Sequence, residues 1–162
     1  MELGAGIMVK EKTIARDLPL AEITLRRYEK PFFLEGRQLI KKFCLCMGLL
    51  QPGDSRDVIV DVLHVLLQAK QPLSASEIEQ SVQEERKKHS IVLLGITGSN
   101  IRRQLRRLQE VHIIERRVKQ YIFTENLPLS EVFNERTMKL FLQPIIERVQ
   151  EYSRRIEELY QK

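Results

Sequence analysis

The chain has 162 residues, 43% of them apolar and 30% charged, which suits one domain with a sizeable core and a solvated surface. No apolar run approaches the ~20 residues of a membrane-spanning helix. The first ten residues lack the long apolar core of a secretory signal, and two cysteines, Cys44 and Cys46, do not make a disulfide scaffold, so a cytoplasmic protein is expected. Lys plus Arg number 27 and Asp plus Glu 22, a net charge of +5.

Residues 1–16 are expected to be disordered, with Met8 as an alternative start. The mixed pattern Leu18, Leu20, Ile23, Leu25 predicts a short helix ending before Pro31, within an N-terminal helical region (17–53) that packs on the core, buttresses a dimer or binds an effector. Between Glu35 and Met47, the residues Leu39, Ile40, Phe43, Cys44 and Met47 fall on one helical face. Gly48 can close that helix in a left-handed cap, and Gln51-Pro52-Gly53 makes a turn. Asp54 is positioned to cap the next helix. That helix carries Val58, Ile59, Val62, Leu63, Leu66 and Leu67 without a gap, as a central core helix would, and should end near Ala69.

Ser74 and Glu77 have capping-box spacing, and Leu73 and Ile78 that of a hydrophobic staple. The helix they start should bury Ile78 and Val82 and become fully polar from Gln83 to His89. Ile91–Ile96 reads as a short buried strand or a packed connection. Caps at 97–100 precede a helix from Asn100 to about Val111. At about 100° per residue, Ile101, Leu105, Leu108 and His112 share one side, and Arg102, Arg103, Arg106 and Arg107 lie opposite with Ser99 in their sector. Ile113–Arg117 and Tyr121–Thr124 read as two short β segments around Val118-Lys119-Gln120, a turn without Gly, Asn or Asp. Ser130 can cap a further helix containing Val132, Phe133, Leu140 and Phe141. Pro144 belongs in the first turn of a new helix or at a kink. Ile145, Val149, Tyr152, Ile156 and Leu159 then follow a 3.5-residue repeat, extended backwards by Leu142 and Met138. That is the narrow seam of a coiled coil, expected to mediate dimerisation rather than to fold back.

Between Thr97 and Gln120 there are seven basic and two acidic residues. The 20 basic and 20 acidic residues elsewhere cancel, so the whole cationic excess lies in this stretch. A solvated surface usually mixes both signs, so such a patch points to an anionic partner.

Three helices followed by two short strands, with the third helix rich in arginine, resemble a winged helix-turn-helix domain. The likeness covers about Asp54–Glu125 (domain 54–127). It rests on VIVDVLHVLL, LSASEIEQSV, GSNIRRQLRRLQEV and the wing IIERRVKQYIFTE. A terminal helical region (128–162) completing a dimer is similar to PadR-type and related small prokaryotic transcriptional regulators. Two departures stand out. Arg86–Gly98 is longer than a helix-turn-helix turn, so either the second helix runs to about His89 or Ile91–Ile96 supplies the strand that pairs with the wing. His112 stands where such families usually place Gly. The expected fold is mainly α with a small β wing, with additional N-terminal helices.

The resemblance implies a homodimeric, sequence-specific binder of double-stranded DNA that regulates transcription. Its third helix (about 99–111) would enter a major groove through Ser99, Asn100, Arg102, Arg103 and Arg106, and Arg107 would touch phosphate. Arg116, Arg117 and Lys119 on the wing (113–124) would lie on the backbone or minor groove. A protein-interaction module or an RNA binder is the alternative. Cys44 and Cys46 point about 200° apart on a helix, and His64, His89 and His112 lack partners at zinc spacing. Neither metal nor cofactor is therefore expected, nor an enzyme, since no catalytic or phosphate-loop motif occurs.

Overall fold

In the computed structural model, which describes residues 17–161, the most apolar segment becomes the innermost one. Helix α2 (Val58–Gln68) buries Val58, Ile59, Val60, Val62, Leu63, Val65 and Leu66, and a helix apolar nearly all round belongs inside. Around it pack α1 (Gly36–Cys46), α3 (Ala75–Lys88) and α4 (Gly98–Glu110). A small antiparallel sheet of β1 (Leu73–Ser74), β2 (Ile114–Arg117) and β3 (Gln120–Phe123) has the order β1-β3-β2, with Leu73 opposite Tyr121 and Ile114 opposite Phe123. The protein is mainly helical, at 60% helix. The expected disorder of 1–16 lies outside the described residues.

Ser74 ends β1 and begins α3. Its amide donates to Glu77 Oε2 at 2.6 Å and its hydroxyl accepts from the Glu77 amide at 3.2 Å, the reciprocal capping box. The strand beside β3 is thus Leu73–Ser74. Ile91–Ile96 is an irregular connection, with Val92 74% exposed.

The expected helix before Pro31 does not form. Residues 17–30 run as an irregular strap, followed by one 3-10 turn at Pro31–Phe33. The strap's polar groups serve α1 instead. The Arg26 amide donates to the Cys46 carbonyl at 2.9 Å and its guanidinium to the Leu45 carbonyl at 3.2 Å, satisfying acceptors that a helix C-terminus leaves open. Gly48 (φ +67°) closes α1 as expected, and a Cβ there would collide with the Thr24 carbonyl, so glycine is what lets the strap lie down.

Asp54 does not cap α2. Its carboxylate accepts from the Arg56 amide at 3.0 Å in a tight turn, and α2 starts at Val58 after Asp57. Asp57 makes no side-chain cap either, because its carboxylate is engaged by cations. Arg86 lies within the run expected to be fully polar, yet its side chain is only 4% exposed. It donates to Asp61 Oδ2 at 2.6 and 2.8 Å, to Asp57 Oδ1 at 3.1 Å and to the Val92 carbonyl at 2.7 Å. Arg37 of α1 meets the same two carboxylates at 2.7 and 2.9 Å, and Lys41 stands 3.5 Å from Asp57. This cluster joins α1, α2, α3 and the 91–96 connection.

Beyond the sheet, Pro128 precedes a short helix α5 (Leu129–Val132) with no side-chain cap, so Ser130 lies inside its first turn. The chain continues as a π-helical segment (Phe133–Leu142) and then as α6 (Gln143–Tyr160), with Pro144 in its first turn, one of the two expected positions. Thr137, fully buried, donates to the Val111 carbonyl at 2.7 Å and ties the π segment to the end of α4. The backward extension of the seam is interrupted: Leu142 is buried, Met138 in the π segment is 41% exposed, and continuous exposure starts at Ile146 in α6.

Removing one member of a buried ion cluster leaves its partners uncompensated. Arg86→Met is therefore expected to destabilise the fold by about 3–5 kcal/mol in denaturant titration. Burial acts to raise the Asp57 carboxyl, but Arg37, Lys41 and Arg86 together hold it below its ordinary 3.8. Its stabilising contribution is therefore full above that value and lost as pH falls through the lower folded value. The unfolding midpoint should drop below about pH 4, and the drop should be shallower in Asp57→Asn.

Candidate nucleic-acid interface

α4 is anchored on one side and open on the other. Ile101, Leu105 and Leu108 are completely buried, because their spacing turns one face to α2 and α3. Thr97 caps the start, its hydroxyl accepting from the Asn100 amide at 3.3 Å and lying 3.1 Å from the Ser99 hydroxyl. At the other end His112 has φ +60°, the left-handed conformation that glycine would ordinarily supply. It lies edge-on to Phe141, with ring centroids 6.3 Å apart.

Ser99, Arg102, Arg103 and Arg106 occupy the exposed face. Among the described residues none of these three arginines forms an ion pair. Arg102 bends back toward the helix start, where a Cβ on Gly98 would lie 3.3 Å from its Nη1 and 2.9 Å from Glu79 Oε2. Its charge therefore has an acidic neighbour on α3, whereas Arg103 and Arg106 face solvent.

Asn100 and Arg107 are engaged internally. The Asn100 amide nitrogen donates to the Gly95 carbonyl at 2.7 Å, and its oxygen accepts from Gln104 at 2.9 Å. Gln104 in turn accepts from Arg107 Nη1 at 2.9 Å, and Arg107 Nη2 donates to the Leu49 carbonyl at 2.6 Å. Residues at i, i+4 and i+7 thus form a polar relay along one flank of α4, from the 91–96 connection to the α1–α2 loop. Burial, and next the charge of Arg103, push the Arg107 guanidinium below its ordinary pKa, so its cation is held at some electrostatic cost. Beside the relay lies an open cleft of about 760 Å³, lined by Arg56, Arg103, Arg107, Ser99 and the carboxylate of Asp54 among others. Gln104 is the residue that sequence reasoning missed. Its i+4 offset from Asn100 and i−3 offset from Arg107 is the signal that could have found it.

The β2–β3 hairpin follows α4 through residues 111–113, with the Ile113 amide donating to the Leu108 carbonyl at 3.0 Å. Arg116 lies over the ring of Tyr121, 5.8 Å from its centroid. Arg117 is ion-paired with Glu115, which reduces what it offers outward. Val118 (φ +46°) and Lys119 (φ +67°) form a two-residue turn with both central residues left-handed. Asn-Gly prefers that conformation, and a β-branched residue adopts it under strain. Val118 is 94% exposed, and Lys119 is exposed and forms no ion pair among the described residues.

Of the nine residues predicted to bind, Ser99, Arg102, Arg103, Arg106, Arg116 and Lys119 are exposed and form no ion pair among the described residues. Asn100, Arg107 and Arg117 are held by neighbours of their own chain. Among the described residues no group of His, Cys, Asp and Glu could hold a metal ion, and no helix is long and apolar enough to cross a membrane. Burial pushes the Cys44 thiol up to about 12, which makes it an inert core group. No family model, curated protein or solved structure matches the chain.

Each non-glycine residue in the left-handed region costs roughly 1–2 kcal/mol. The double substitution Val118→Asn with Lys119→Gly should therefore raise stability by about that amount, read as a higher denaturation midpoint.

Proposed function

We propose that the chain is a winged helix-turn-helix protein that binds double-stranded DNA sequence-specifically as a homodimer and regulates transcription in the cytoplasm. The observation that carries this reading is the solvent face of α4. Among the described residues Arg103 and Arg106 form no ion pair there, while the opposite face is locked in the core. A helix about 10–12 Å across fits a major groove about 12 Å wide. Arginine can bind guanine through two hydrogen bonds at once, worth ~1–3 kcal/mol of discrimination. In this reading Arg103 and Arg106 read bases, with Ser99 and Arg102 beside them. The hairpin is the wing, and Arg116 and Lys119 meet backbone or minor groove.

The internal engagement of Asn100, Arg107 and Arg117 changes their assignment. Asn100 and Arg107 orient α4 through the relay rather than touching nucleic acid, and Arg117 contributes weakly. The apolar stripe of α6, half-buried at Ile145 and exposed at Val149, Tyr152, Ile156 and Leu159, supports dimerisation. A two-fold dimer would match half-sites about one helical turn apart. A second reading, a protein-interaction module, is favoured by the exposed apolar side chains of Val92, Leu93 and Leu94 just before α4.

Filter binding on duplex DNA across salt concentrations tests the proposal. Binding that weakens steeply with salt is expected, and no binding at low salt would overturn it in favour of the protein-partner reading. Arg103→Ala should relax sequence preference. Lys119→Ala should weaken all sequences alike and lower the salt slope by roughly one.

A further inference from the structure

We propose that α6 pairs with α6 of a second copy of this chain in parallel orientation, so that both bodies sit at one end of a two-stranded coil. This rests on the homodimer reading and adds the direction of pairing.

From Ile146 onward every described residue of α6 is exposed, with Tyr152 67% and Tyr160 80% accessible. An isolated helix of 18 residues is marginal in water, and this one carries a regular apolar edge that its own body leaves bare. The spacing of that edge identifies the occupant. A repeat of 3.5 residues keeps facing one direction only when the helix winds around another with the same repeat, and a second copy supplies one of equal length.

The seam residues set the number of strands, and the residues beside the seam set the orientation. Val149 and Ile156 fall at the first apolar position of the heptad, and Ile145, Tyr152 and Leu159 at the second. β-branched residues at the first position, with Leu159 at the second, favour two strands in a parallel coil. The flanking positions choose the direction. Arg148 and Arg155 lie on one side of the seam, and Ser153 and Tyr160 on the other. In a parallel pair Arg148 meets Ser153 of the partner subunit, and Arg155 meets Tyr160 of the partner subunit. The first contact is a hydrogen bond and the second a cation over an aromatic face. An antiparallel pair sets Arg148 against Arg155 of the partner subunit twice over, a like-charge juxtaposition that disfavours it. Arg148 and Arg155 also reach Glu151 and Glu158 of their own helix at 2.6 and 2.9 Å. Those contacts offset part of the repulsion in either orientation, but only the parallel one removes it. Parallel pairing brings the two Gln143 ends together, whereas antiparallel pairing separates the bodies along a helix about 27 Å long.

Single cysteines in the full-length chain test the direction, with Cys46→Ser to remove the more accessible native thiol. In a parallel coil each seam residue meets its own counterpart. Leu159→Cys and, separately, Ile145→Cys should each give a covalent dimer on mild oxidation, and Glu157→Cys on the outer face should not. Dimers by light scattering that fail to cross-link at both seam positions would overturn the proposal, as would a monomeric parent chain. Filter binding on the same preparations keeps the two readings apart. A parallel dimer that ignores DNA removes only the DNA reading, a monomer that binds DNA removes the homodimer reading together with this one, and a dimer that binds DNA but fails to cross-link removes only the direction proposed here.

Discussion

Two aspartates one turn apart on the most apolar helix of the protein need cations, and Arg86 is the nearly buried cation that reaches both. Asp57 and Asp61 would otherwise be carboxylates facing the core, a costly arrangement. Arg37 approaches the same pair from α1, and the Arg86 guanidinium also holds the Val92 carbonyl. The cluster therefore does more than neutralise charge. It sets α1, α2 and α3 against one another, and it fixes the connection from which α4 departs.

The same economy of polar groups runs through α4. Its start is held by Thr97, its flank by the Asn100–Gln104–Arg107 relay and its end by His112 and the Thr137 hydroxyl on Val111. The remaining sector is cationic, and among the described residues Arg103 and Arg106 form no ion pair there. A helix so firmly seated can present side chains with little loss of order on meeting a partner. The hairpin beyond it takes the opposite approach, with an exposed valine in a strained turn at its tip.

Periodicity was legible in the residues, and capping at some helix starts, though Asp54 and Ser130 cap no helix. The central helix, the Ser74–Glu77 box, the arginine face of α4 and both hairpin strands could all be read from spacing, because each depends on neighbours within one or two turns. Long-range polar pairing could not. Arg86 sits among Glu84, Glu85, Lys87 and Lys88 and looks solvated, since its partners are 25 and 29 residues away. Asn100 and Arg107 looked like binding groups for the same reason, because their partners include carbonyls of Gly95 and Leu49, and backbone acceptors leave no mark on composition. The short strand at Leu73–Ser74 escaped notice because two residues carry no alternation. The strap at 17–30 looked helical because its leucines fall at mixed intervals, and its hydrogen bonds to α1 depend on Gly48.

The π segment between α5 and α6 has an effect out of proportion to its length. A wide turn holds more residues than an α-turn, and each extra residue rotates the downstream helix by about 100°. The apolar edge of the last helix is thereby dialled away from the globule that made it, while Leu142, just before, still faces home. A shift of phase, with no change in any side chain downstream, separates Leu142, which is buried, from an apolar edge that the rest of the chain leaves uncovered.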